Sequence, residues 1–359
     1  MEYITVKELF KITKGKKVEE IDYKNENSIR YIQIDDLRNN NNIKHCENIN
    51  KYVIAKKEDI IIAWDGANAG TIGFGIEGAI GSTLAILRKE NKEMDTEFCG
   101  LFLRSKSAYL REKCTGATIP HIQRRALEDI KIPKISLNKQ IEIKNIINKA
   151  QELIDKRKEQ IQDLDELVKS QFIEMFGNVI TNSKGWKTEQ LGKICDLKAG
   201  KNIKAKDIYE DSSDELYPCY GGNGLRGYVK TYSHEGNINL IGRQGALCGN
   251  VKYAKGKFYA TEHAVVTQPK VDINSYWLHF VLRELDLNRL ATGAAQPGLT
   301  VGALNEVEIP VVEIELQNKF ANFVNKVDKL KFEMEKSLKE LEDNFNALMQ
   351  KAFNGELFN

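Results

Sequence analysis

The chain repeats itself. Residues Thr115 to Pro133 read TGATIPHIQRRALEDIKIP, and 177 residues later Thr292 to Pro310 read TGAAQPGLTVGALNEVEIP. Thr115/Thr292, Gly116/Gly293, Ala117/Ala294, Pro120/Pro297, Ala126/Ala303, Leu127/Leu304, Ile132/Ile309 and Pro133/Pro310 coincide without a gap. The same offset carries Gln140 onto Gln317, Asn148-Lys149 onto Asn325-Lys326, Leu164 onto Leu341 and Phe176 onto Phe353. A duplicated chain of this size implies two similar sites held at a set separation.

After each copy the periodicity changes. Apolar residues recur at Ile143, Ile147, Ala150, Ile154, Ile161, Leu164 and Val168, a heptad beat broken only by Arg157. Asn138 to Phe176 contains neither Pro nor Gly, which predicts one helix of about 38 residues, about 57 Å long. Gly177 ends it, and the following GNVITNSKGW is a short polar linker. The second copy keeps the register through Phe320, Val324, Val327, Met334, Leu338, Leu341, Phe345, Leu348 and Ala352, with Lys331 opposite Ile154 and Met334 opposite Arg157. Matched registers are better explained by two equivalent helices packing together than by two unrelated surface helices. The order of segments makes that pair antiparallel. Arg157 and Lys331 either fix the register at some cost in stability or carry their charges out of the seam on long stems.

The duplication is fainter in the globular parts. Asp59 to Ala63 and Leu84 to Leu87 read as buried strands, and Thr96 to Leu110 has helical spacing. Asp65 to Ile72 aligns with Gln244 to Val251, each after a short apolar strand; the paired glycines imply a turn with positive φ or a close backbone approach. Ser82-Thr83 answers Glu262-His263, and Gly15-Lys16 answers Gly200-Lys201. The scaffold is kept while the loops differ, as expected of two readers of different ligands.

At 359 residues and 42% hydrophobic, the chain has ample material for two cores. A net charge of +2 means that any basic surface must be local. Six scattered cysteines without a CxxC pair, and no secretory signal at Met1, suggest reduced thiols in a cytoplasm. No apolar run approaches the roughly 20 residues that span a bilayer. The sequence lacks the Pro-Pro-aromatic motif of amine methyltransferases and the GxxxxGK[ST] loop. Gly73, Gly75 and Gly78 spell GxGxxG, but Ala79 to Arg88 reads as a strand, leaving no helix N-terminus for a pyrophosphate. The five histidines form no metal-ligand spacing with the cysteines. No catalytic residue, metal or resident cofactor is expected.

Taken together, the Thr115-Gly116-Ala117…Ile132-Pro133…Gln140 stretch with its helix, and its second copy Thr292-Gly293…Ile309-Pro310…Gln317, resemble the specificity subunits of type I restriction–modification systems. In the second unit, Tyr217 to Tyr228 (YPCYGGNGLRGY) and Ile241-Gly242-Arg243-Gln244-Gly245 are similar to stretches of that family's target-recognition domains. The first unit departs from it: it has no YGGNG counterpart, and Trp64-Asp65-Gly66 replaces Arg243-Gln244-Gly245. The resemblance covers essentially the whole chain. It implies an α+β fold of two mixed α/β target-recognition domains (1–135 and 179–312). These would be joined by two conserved helical regions (136–178 and 313–359) forming an antiparallel coiled coil, with a pseudo-two-fold internal repeat. The implied function is to read a bipartite duplex DNA site with a spacer of fixed length. Methyltransferase subunits, two of them, would bind along the helices and supply S-adenosylmethionine chemistry. Restriction subunits would bring ATP and Mg. Competing readings are a recognition subunit of another bipartite system, an active methyltransferase, and a coiled-coil tether binding proteins or sugars.

Base-edge readers are expected among Arg, Lys, Asn, Gln, Asp and Glu on loops. In the second unit the candidates are Asn223, Arg226, Arg243 and Gln244, with Gly221, Gly222 and Gly224 either admitting a phosphate or making an ordinary tight turn. In the first unit they are His121, Gln123, Arg124 and Arg125, before the repeated Ala-Leu; the alternative for Arg124-Arg125 is a solvated face, and the uncharged counterpart Gly298 to Val301 favours a unit-specific role. Lys16, Lys17 and Lys201 are expected to touch phosphate, which positions without specifying.

Overall fold

The computed structural model describes residues 2–90, 93–116, 118–293 and 297–357; the repeated Ala117 and Ala294 lie outside them. The chain divides into two compact units, Met1–Lys158 with Lys336–Asn359, and Glu159–Glu335. Each unit therefore combines a globular part with a stretch of both long helices.

The two globular parts share one topology. In unit 1, one four-stranded sheet runs in the order Phe10–Lys14, Leu84–Lys89, Ile60–Ala63, Ile72–Phe74, and a second in the order Lys44–Glu47, Ser28–Ile32, Gly78–Ile80, Ile54–Ala55. In unit 2 the corresponding orders are Cys195–Ala199, Ala264–Pro269, Ile238–Gly242, Val251–Ala254, and Gly224–Val229, Tyr217–Gly221, Lys257–Ala260, His234–Glu235. In both, a two-stranded ribbon (Glu2–Thr5 with Lys131–Lys134; Thr188–Gln190 with Glu308–Pro310) leads towards a long helix. Ile60 to Ala63 is an unbroken apolar run because both of its faces are covered. Ile60 and Ile62 face the helical core with Phe98 and Phe102, whereas Ile61 and Ala63 join Ile32, Leu37 and Ile80 between the sheets. The stretch after Gly78 is strand, at Gly78–Ile80 and Leu84–Lys89, so the GxGxxG text opens no helix.

The helical stretch from Thr96 is two pieces, Thr96–Ser105 and Ser107–Glu112. The Ser105 hydroxyl donates to the Phe102 carbonyl at 2.6 Å, a local bond that competes with the helix ladder. The long helices are Leu137–Phe176 and Ile314–Asn354, and they pack antiparallel. In unit 1, Ile143 and Ile147 near the start of the first share a core with Met349, Ala352 and Phe353 at the end of the second. In unit 2, Phe172 and Phe176 at the end of the first meet Phe320 and Val324 at the start of the second. Gly177, with φ of 76°, caps the first helix through its N–H to the Ile173 carbonyl. Lys331 keeps its charge at the seam's edge, donating to both oxygens of Asp165 at 2.6 and 2.7 Å; Arg157 is half-buried. Among the described residues no helix is long and apolar enough to cross a membrane. The architecture is α+β: two mixed α/β domains with two antiparallel long helices in an internal repeat.

Candidate nucleic-acid interface

The repeated sequence builds the same knot of backbone in each unit. Thr115 and His121 exchange both N–H···O bonds (3.0 and 2.7 Å), as do Thr292 and Gly298 (2.9 and 2.8 Å). The N–H of Gly66 reaches the Pro120 carbonyl and that of Gly245 the Pro297 carbonyl, at 2.9 and 3.0 Å. Gly66 and Gly70 have φ of 94° and 87°, and Gly245 and Gly249 have 85° and 86°, so a glycine is required at each place. Gly15 and Gly200 are matched too: a Cβ there would sit 2.2 Å from the carbonyl oxygens of Gly81 and Ala260. Four loops thus converge at one end of each unit on a common backbone.

The side chains on that backbone differ. In unit 1, the Asp65 carboxylate accepts from Lys14 Nζ at 2.7 Å and from His121 Nδ1 at 2.7 Å. Burial pushes the Asp65 carboxyl up, and the bonds from Lys14 and His121 outweigh that, leaving it below the usual value. In place of a tight hairpin turn, unit 1 inserts a loop between Ile32 and Lys44 containing Asp35–Leu37 as a 3₁₀ turn. Its Arg38 donates to Asn68 on the glycine turn at 2.6 Å. In unit 2, the Gly221–Gly224 turn joins Tyr217–Gly221 to Gly224–Val229. Arg243 donates its backbone N–H to the His263 carbonyl at 3.0 Å, and Glu262 lies 3.3 Å from His263 Nε2. Arg243 Nε, Thr261 Oγ1, Glu262 Oε2 and His263 Nδ1 are buried without a hydrogen-bond partner.

The sequence-predicted residues fall as follows. His121 and Gln123 are exposed, Gln123 at the start of a short helix, Arg124–Glu128. Arg124 and Arg125 lie on that helix and face Glu128 and Asp129 at 2.7 and 3.8 Å, with both side chains largely exposed. Asn223, Arg226 and Gln244 are exposed and Arg243 is partly buried. Gly222 makes its close approach within the unit: a Cβ on Gly242 would be 2.0 Å from the Gly222 carbonyl oxygen. Gly224 is buried at φ of 110°, and Gly221 packs near the Arg226 stem. Lys16, Lys17 and Lys201 are exposed beside the converging loops. Sequence reading missed Lys14, Asp65, Arg38 and the Glu262-His263 pair as parts of the cluster. The alignments of Asp65 with Gln244 and of Ser82-Thr83 with Glu262-His263 were the signals that pointed to these turns. Burial pushes the thiols of Cys99 and Cys195 up to about 12, which leaves neither a nucleophile. Among the described residues no three His, Cys, Asp or Glu side chains are placed to hold a metal ion.

A sequence model described as the type I restriction modification DNA specificity domain matches residues 1–165 and again 183–343, one match per unit. The chain belongs to this family of specificity subunits. It is 50% identical over 145 residues to the EcoprrI specificity subunit of Escherichia coli, a match covering 40% of this chain and 36% of that relative. It is 24% identical over 394 aligned residues to the MjaVIII specificity subunit of Methanocaldococcus jannaschii, covering 99% and 92% of the two chains. The fold is similar to that of the S subunit from M. genitalium (TM-score 0.61, 21% identity, 98% and 96% of the two chains). A second similar structure comes from a study of complex assembly and conformational transition in the type I system (TM-score 0.65, 17% identity, 99% and 98%).

Proposed function

We propose that this specificity subunit reads a bipartite duplex DNA site, one half-site per unit, with a spacer of fixed length. The observation that carries this reading is the doubled loop cluster, in which one hydrogen-bonded backbone presents Lys14, Asp65 and His121 in one unit and Arg243, Gln244 and Glu262 in the other. A common frame with exchanged polar groups suits two readers of different base sequences, because the major groove is told apart by its donor and acceptor pattern. Lys16, Lys17 and Lys201 contact phosphate; Gln123, Arg124, Arg125, Asn223 and Arg226 add groove or backbone contacts.

The helices dock methyltransferase subunits, one on each equivalent surface. Leu153 and Leu330 stand at equivalent positions of the repeat and are each 51% exposed. Two large apolar side chains left in water at matched positions suit two copies of one apolar partner. Adenine methylation, S-adenosylmethionine, ATP and Mg belong to the partner methyltransferase and restriction subunits, and the chain acts with them in the cytoplasm as a non-catalytic address. The test is a long-read methylome of host DNA with the gene intact and deleted. A split motif with modified adenine on both strands that vanishes on deletion is the expected result; no gene-dependent motif, with the methyltransferase subunits present and active, refutes it.

A further inference from the structure

We propose that His121 reads a base edge bearing an exocyclic amino group, cytosine N4 or adenine N6, and that Asp65 is its positioning residue. This inference rests on the base-reading function proposed above.

Asp65 stands just beyond strand Ile60–Ala63, its side chain only 16% exposed while that of His121 is 49% exposed. Its Oδ2 is taken by Lys14 at 2.7 Å and its Oδ1 by His121 Nδ1 at 2.7 Å. An ionised carboxylate only accepts, so the bond to Asp65 places a proton on Nδ1, and the neutral form of the ring then presents Nε2 as a lone pair. The ring has little freedom. The His121 backbone is bonded in both directions to Thr115, and a Cβ on Gly116 would lie 3.1 Å from His121 Cδ2.

The repeat separates this arrangement from the needs of the fold. At the equivalent positions unit 2 keeps the turn, its hydrogen bonds and its glycines. It places Ala199, Gln244 and Gly298 where unit 1 has Lys14, Asp65 and His121. None of the three groups is therefore required to close the knot. A fixed acceptor has no use at phosphate, which offers no donor; in the major groove its partners are the amino groups of cytosine and adenine.

The full chain is produced with its methyltransferase subunits in a host lacking adenine methylation, and modified motifs are read by long-read sequencing. Absence of any motif with the unaltered chain removes the base-reading function and this inference with it. Given a motif, His121→Ala relaxes one position of one half-site by about tenfold to a hundredfold and leaves the other half-site unchanged. An unaltered motif in His121→Ala overturns the inference while the bipartite reading stands. Because that ring is half exposed, the variant keeps its fold and decides the matter even if Asp65 variants fail to accumulate. Asp65→Asn supplies the sign of the positioning role. Lys14 takes the carboxamide oxygen, the amide NH₂ donates to Nδ1, and Nε2 carries the proton. Preference at that same position then moves towards a base presenting an acceptor. A wild-type preference in a folded Asp65→Asn chain overturns the positioning role.

Discussion

Gln140 is buried to 0% exposure and its repeat partner Gln317 to 4%, although both are polar. Each closes the junction between globular part and helix. Gln140 donates to the Ile135 carbonyl and accepts from the Asp95 N–H, both at 2.7 Å; Gln317 donates to the Val312 carbonyl at 2.7 Å and accepts from the Asn274 N–H at 2.8 Å. Gln140→Ala is expected to destabilise by about 1–3 kcal/mol for each backbone group left unpaired, read from the denaturant midpoint at unchanged slope. At the loop cluster the expectations are about DNA. Arg243→Ala relaxes one base position by about 1–3 kcal/mol, and a retained sequence preference in that variant removes Arg243 from the readers. Lys16→Ala and Lys201→Ala weaken binding to every duplex alike and each lowers the salt slope by about one, measured by titrating affinity against salt. Lys16 and Lys201 were legible as candidates from repeated Gly-Lys pairs. Asp65 was not, because its alignment with Gln244 marks the turn but not the Lys14 and His121 side chains that meet on it.

Among the elements, helix Ser275–Glu284 is set against strands Ile238–Gly242 and Val251–Ala254 by an aromatic group of Tyr253, Tyr276, His279 and Phe280. His279 Nδ1 lies 3.1 Å from Asn239 Oδ1, and burial, then Arg283 and Lys252, push the ring down to about 4 from 6.5. A lowered folded value means that the unfolded chain binds the proton first. The contribution is therefore intact above about 6.5 and is lost as pH falls towards 4. The thermal midpoint of unit 2 should drop over that window, and His279→Phe should flatten the drop; an equally steep fall in the variant assigns it to other groups. The long helices were the most legible elements. Their seam residues are apolar at heptad spacing, and an interval without Pro or Gly leaves little else to form. The break at Lys106 was not legible, since Ser105 and Ser107 are tolerated inside helices and the local Ser105 bond appears only with coordinates.

For the whole molecule, the decisive residue pair is Phe176 and Phe353. They occupy equivalent places, Phe176 edge-on to Trp277 at 5.7 Å in unit 2 and Phe353 against Phe98 and Phe102 at 5.6 and 5.2 Å in unit 1. The end of the second helix thus completes the core of the unit that the chain began. Phe353→Ala should cost unit 1 about 3–5 kcal/mol and lower its calorimetric transition, far in sequence from most of what it stabilises. Under the proposed function the helices also set the spacer. Seven residues added to each helix lengthen it by about 10 Å, so the methylated motif should gain about three base pairs at 3.4 Å each. An unchanged spacer in an active variant refutes the ruler.

The sequence by itself determined the duplication, the two long helices and their common register, because a repeated pattern of small, apolar and turn residues dictates a repeated backbone whatever the loops contain. It could not determine that Phe353 seats against Phe98 and Phe102, nor that Lys14, Asp65 and His121 meet. Those are encounters between segments 50 or more residues apart, and side chains that meet only across converging loops leave no periodicity in the chain.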